Sequence, residues 1–262
     1  MSVNPNLLIH GKLWAHRLSF RHNLLHPLPA PIASSYCRKN QANMAPAEQD
    51  RFKNALQTII STGQFGSIVA IHADMSHMMH SSMGPIGTQR FLPWHRVYLF
   101  ELEQALQSHD PQVTIPYWDW IVDKSIPQWL QNFTPSVVVN GNPINVIRQP
   151  GVLAPILPTQ TQLDSTMNQS NFTSFTLPPS GLEGLHNTVH MWVGGTMANI
   201  MTAPADLIFW MHHANVDRLW DLWQKKNPNQ NPSLSGSDAT MDPWPHTEID
   251  TRKTTNFGYT YV

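Results

Sequence analysis

Histidine is the residue type in this chain best suited to chemistry. The 262 residues contain 14 of them, spread along the chain rather than gathered in a terminal tag. His72, His77, His80 and His95 form one group with His109 trailing, and His186, His190, His212 and His213 form another. In "HNTVH", His186 and His190 are spaced i, i+4, which puts two imidazoles on one helical face and lets both reach a single metal ion. His212 and His213 are adjacent and point roughly 100° apart on a helix, so only one of them can face that ion. Periodicity alone does not choose between them. His72 and His80 are separated by about 80° around a helix, and His77 stands about 140° from His72. His95 lies in "RFLPWHRVYLFELEQAL", Arg90 to Leu106, an apolar setting in which a lone histidine is usually a satisfied core residue. The second histidine group downstream shifts that reading towards a ligand.

The single cysteine, Cys37, leaves no Cys-based zinc or iron-sulfur cluster and no internal disulfide. Neutral imidazoles without thiolates suit copper, zinc or iron, and the missing "HExxH" pattern argues against the commonest helical zinc site. Lys plus Arg is 16 and Asp plus Glu is 17, so no basic stripe awaits nucleic acid or an anionic membrane. No apolar run approaches the ~20 residues of a bilayer span. The N-terminus lacks the pattern of a signal peptide, and a cytoplasmic location is the default expectation.

These histidines need elements to position them. Residues 1–35 are polar and aperiodic and read as an extension, ahead of one domain over residues 36–262. A helix is expected over Ala45 to Thr62, a second from Gln64 to His80, and a break at Gly84, Pro85 and Gly87. Pro93 suits the first turn of a third helix reaching Leu106, with Glu103 left to anchor its far end. Residues 121–180 read as a long irregular excursion, which in compact domains usually carries or covers function. A final helix is expected over Ala203 to Lys226. Met75, Met78, Met79 and Met83 read as core filling, with copper loading as the alternative. The economical reading of these elements is a mainly α single domain with long irregular loops and few short strands.

"FLPWHRVYLFELE", "HNTVHMWVGG" and "FWMHHANVDRLW" together resemble the tyrosinase family of type-3 dinuclear copper proteins, which includes catechol oxidases and molluscan hemocyanins. The resemblance runs from Tyr36 to about Phe257. It implies a mainly α four-helix bundle holding a dinuclear copper site, with the second copper ion on His186, His190 and His213 and the first on His72, His95 and one more ligand. The family often has that ligand nine residues before the "PWHR" histidine, where this chain has Ile86. His80 is the choice here and His77 the alternate. Cys37 lies far upstream of His72, so no thioether to a histidine is expected. The chain ends at "YTYV", and a site open without a C-terminal lid, or covered by another chain, is the expectation.

The activity implied is oxidation of phenols by O2, by ortho-hydroxylation of monophenols, oxidation of o-diphenols to o-quinones, or both. An o-aminophenol oxidase and a hemocyanin-like oxygen carrier are the alternatives. Three neutral imidazoles per ion stabilise both copper oxidation states, and two such ions can each give one electron to O2. The resemblance assigns Glu183 and Asn187 to hold a water that takes the phenol proton, while Glu183 is also a plain helix-start acid. It places Phe209 under the substrate ring and Met191 and Ile200 at the pocket rim, whose apolar character favours neutral phenols. Asp217 stands one turn after His213, either behind a ligand or paired with Arg218 or Arg96. A phenolic small molecule and O2 are the expected partners, and a separate copper-delivery or caddie-type protein is a further candidate.

Overall fold

The computed structural model describes residues 36–262; the extension read over residues 1–35 lies outside the described residues. The elements in chain order are β1 (Tyr36–Arg38), α1 (Pro46–Ser61), α2 (Gln64–His72), α3 (Pro85–Gln107), β2 (Ser136–Val139), β3 (Asn142–Asn145), α4 (Gln160–Met167), α5 (Phe172–Thr176), α6 (Leu182–Val193), α7 (Leu207–Lys226) and β4 (Tyr259–Tyr261). Helices α2, α3, α6 and α7 carry His72, His95, His186, His190, His212 and His213, and α3 packs along α7 at the centre. Among the described residues, no helix is long and apolar enough to cross a membrane.

The helix expected to run from Gln64 to His80 stops at His72. Asp74 accepts a hydrogen bond from the Ser76 amide, and Met78 turns into the left-handed region at φ 49°, so the chain folds back instead of continuing. Helix α3 begins earlier than expected: Pro85 takes its first position and Pro93 lies inside it, buried. Gly87, read as part of the break, is also inside α3. A Cβ there would meet the His80 carbonyl oxygen at 1.9 Å, so only glycine lets the His80 backbone lie against the helix.

The excursion over residues 121–180 contains more structure than its composition suggests. Asn140 and Gly141, both at positive φ, close the β2–β3 hairpin, as a two-residue Asn-Gly turn does. The hairpin presses on α2, where Gly66 leaves room for the Val138 carbonyl. From the same excursion Arg148 makes a two-pronged contact with Asp206, at 2.7 and 2.6 Å. Asp206 also caps α7 through the Ile208 amide, so the excursion fixes the start of the helix that carries His212 and His213. Helix α6 begins at Leu182, four residues before His186.

A buried knot of charges ties the middles of α3 and α7 together. Arg96 on α3 donates to Asp217 on α7 at 2.5 Å, and the hydroxyls of Tyr259 and Tyr261 donate to the second carboxylate oxygen at 2.6 Å each. Arg38 on β1 lies over the Tyr259 ring and donates to Glu103 at 2.9 Å. Glu103 also accepts the Ile115 amide, the far-end anchorage expected of it. Asp217 thus pairs with Arg96, while Arg218 pairs with Asp119. The parallel pair β1–β4 brings these partners together from the two ends of the described chain. Removing one member strands the rest in a buried site. Asp217→Leu is therefore expected to lower the unfolding free energy of the metal-free protein by about 3–5 kcal/mol, read from urea unfolding; a change under about 1 kcal/mol, the scale of a surface ion pair, would contradict the knot.

Candidate metal centre

The turn after α2 brings His80 back beside His72 at the helix end, and α3 supplies His95 between them. The Nε2 atoms of His80 and His95 lie 3.2 and 3.4 Å from that of His72. On the other side, His186 and His190 project from one face of α6 towards α7, where the Nε2 of His213 lies 3.0 Å from that of His186. Donor atoms of His186, His190 and His212 also fall within 4.8 Å of one another, as do those of His72, His80 and His95. The two groups are in contact, since the His95 and His213 rings stack at 4.3 Å with 13° between planes.

The opposite ring nitrogens explain the orientation. Nδ1 of His72 donates to the Ile200 carbonyl at 2.9 Å, that of His95 to Phe91 at 2.7 Å and that of His190 to Met197 at 2.7 Å. His186 Nδ1 faces the Asn187 side-chain oxygen at 3.0 Å, and His80 Nδ1 faces Glu183 at 3.7 Å. A neutral imidazole that spends its one proton at Nδ1 presents a bare lone pair at Nε2. Within each group these lone pairs then face each other, and His190 Nε2 is buried without a hydrogen-bond partner. Such a cluster is repulsive until a cation sits among the lone pairs, so the donor set fits two metal ions.

Burial pushes the imidazoles of His72, His95, His186, His212 and His213 well below the ordinary histidine range, reinforced by the neighbouring rings. Burial likewise takes His190 down to about 4. All six therefore stand neutral at pH 7, the state in which imidazole binds metal.

His77, the alternate ligand, is turned away. Its Nδ1 pairs with Asp242, its ring lies on Trp94, and Asp242 is also held by Arg90. Met79 is buried in the core, with Met75 and Met83 packed against it. Cys37 sits exposed on β1 beside Thr260, a strand away from the helices that carry the histidines. Phe209 is buried and its ring touches both groups, 4.2 Å from His213 and 5.2 Å from His72. Met191 is exposed and Ile200 half-buried. Glu183 is buried at the start of α6, where one carboxylate oxygen accepts the Ser81 amide at 2.9 Å and the other has no partner. Asn187 is exposed next to His186. The carbonyls of Met197 and Ile200 were not read from the sequence, because every residue has a carbonyl and side-chain identity carries no sign of where it points.

A helical bundle around paired histidine triads defines a dinuclear metalloprotein. A family model described as the common central domain of tyrosinase matches residues 62–147 and 139–226. The tyrosinase of Streptomyces antibioticus is 33% identical over 255 residues, covering 79% of this chain and 92% of that protein. A functional unit of octopus hemocyanin has a TM-score of 0.69 at 20% identity, over 87% of this chain and 68% of that one. Recombinant mushroom tyrosinase has a TM-score of 0.66 at 19% identity, over 90% of this chain and 64% of that one, so the chain spans about two thirds of each of these structures and shares their fold. The chain belongs to the tyrosinase family, whose centre is a pair of copper ions, and it is a tyrosinase-type oxidoreductase.

The buried histidines also set a pH dependence for the metal-free protein. In the unfolded chain histidine titrates near 6.5, whereas His190 in the fold titrates at about 4 and the other five lower than usual. Below about 6.5 only the unfolded state takes up these protons, so stability is full above that pH and declines as pH falls towards 4. Urea midpoints measured at pH 7.5 and 5 check this. The midpoint should be lower at pH 5, and an unchanged or higher midpoint would contradict it.

Proposed function

We propose that His72, His80 and His95 hold one copper ion and His186, His190 and His213 the other, and that the pair oxidises phenols with O2. The observation that carries this is the convergence of buried Nε2 atoms in two touching groups, with Nδ1 of His72, His95 and His190 held on backbone carbonyls. His213 is preferred to His212 because its ring stacks on His95 of the first group while its Nε2 faces His186, so it joins the two halves. The His212 ring instead stacks on His186 at 4.9 Å and lies beside His190 and Trp120. When bound, the two copper ions supply O2 binding and the two electrons that O2 takes up.

The chain's own residues do the rest. Phe209 gives the site an apolar floor spanning both triads, against which a flat phenol ring can lie. Glu183 acts as the base: with Oε1 engaged by Ser81, Oε2 is left to accept the phenol proton through a water, and the Asn187 amide orients that water. The mixed environment of the rim, with exposed Met191 and half-buried Ile200, favours neutral phenols over acidic ones. The exposed rim also leaves a docking place for a separate copper-delivery protein. The similarity to a curated tyrosinase over most of both chains supports an enzyme over an oxygen carrier.

Copper content and oxygen uptake test this together. The loaded protein should carry about two copper ions per chain and consume O2 with both a monophenol and a catechol. Glu183→Gln should slow the monophenol about 10²-fold or more and the catechol much less. Absence of copper, or equal losses on both substrates, would contradict the assignment.

A further inference from the structure

One loop serves both halves of the centre. Met197 and Ile200, three residues apart, supply the carbonyls that receive Nδ1 of His190 and of His72. These histidines belong to different triads and to different helices, α6 and α2. The position of this short loop therefore sets the tautomer and aim of one ligand at each ion.

Thr196, buried immediately before Met197, holds the loop. Its amide donates to the Ile147 carbonyl at 2.8 Å, and its hydroxyl accepts the Ile147 amide at 2.8 Å while reaching the Asn145 carbonyl at 3.4 Å. Its own carbonyl accepts the Thr202 hydroxyl at 3.0 Å, which ties the two ends of the loop together. Close approach of the 145–151 segment is enforced at Gly195, where φ is 54° and a Cβ would meet the Ile147 carbonyl oxygen at 2.2 Å. Gln149 and Gly151 extend the same clasp onto the end of α6 through the Val193 and Trp192 carbonyls.

We infer that Thr196 is a positioning residue for both metal sites at once, acting through the Met197 and Ile200 carbonyls on His190 and His72. Its hydroxyl pins the loop to the 145–151 segment, and the loop delivers that placement to one histidine of each triad. Loss of the hydroxyl shifts both carbonyls together, so both ions weaken together. This rests on the copper reading above.

Chelator competition on the copper-loaded protein tests it, following copper per chain rather than turnover. Thr196→Val should release both ions in one step at a chelator concentration lower by about 10-fold or more, the usual effect of losing an outer hydrogen bond behind a ligand. Thr196→Ser, which keeps the hydroxyl, should restore the wild-type titration. The melting temperature of the metal-free Thr196→Val protein should stay within about 4 °C of wild type, the shift of roughly 1 kcal/mol or less in a domain of this size. If Thr196→Val does not fold, Thr202→Val decides: it removes the hydroxyl's bonds to the Thr196 and Asn199 carbonyls, leaves those of Thr196 to the 145–147 segment in place, and should weaken both ions together to a smaller extent. Wild-type retention in the variants, release of one ion alone, or no rescue by serine would overturn the inference. A wild-type protein that takes up no copper would instead overturn the copper reading itself.

Discussion

The imidazoles of two touching triads must be aimed at one another inside a buried core, and the rest of the molecule answers to that constraint. Left to themselves, such rings would rotate to give each lone pair a donor. The backbone prevents it by receiving Nδ1–H of His72, His95 and His190 on carbonyls of Ile200, Phe91 and Met197. The centre is thus stored as unsatisfied acceptors, and the ions that satisfy them complete the core electrostatically.

Rigidity for this arrangement comes from two clamps on the central helices. The knot of Arg96, Asp217, Arg38, Glu103 and the two C-terminal tyrosines locks α3 to α7 directly behind the ligands, Arg96 being next to His95 and Asp217 one turn after His213. Arg148 and Asp206 lock the near end of α7 to the loop excursion. Between these two clamps the stacked rings of His95 and His213 sit at the crossing of the central helices. The charged pairs are largely buried, which suits fixing one geometry more than adding net stability.

Much of this was legible in the sequence, for identifiable reasons. The i, i+4 spacing of His186 and His190 is a local signal, and α6 does place both on one helix. His95 became readable once other histidines stood in matching segments. The end of α2 was not legible: the apolar and methionine-rich run after His72 continues a helical pattern, and the stop comes from the side chain of Asp74 and a left-handed Met78. That stop, not helical periodicity, brings His80 beside His72. Pro93 misled in the same way, because its preference for a helix start yields to burial along α3. Pairings distant in sequence, such as Arg148 with Asp206 or His77 with Asp242, leave no local trace.

The central claim is that each histidine triad binds one ion, with His213 completing the second. Anomalous scattering at the copper edge from crystals of the loaded protein tests it directly. The account predicts two copper peaks, one within coordination distance of His72, His80 and His95 and the other of His186, His190 and His213, with His77 still on Asp242. A single peak, or a second ion held by His212 while His213 stands free, would contradict it.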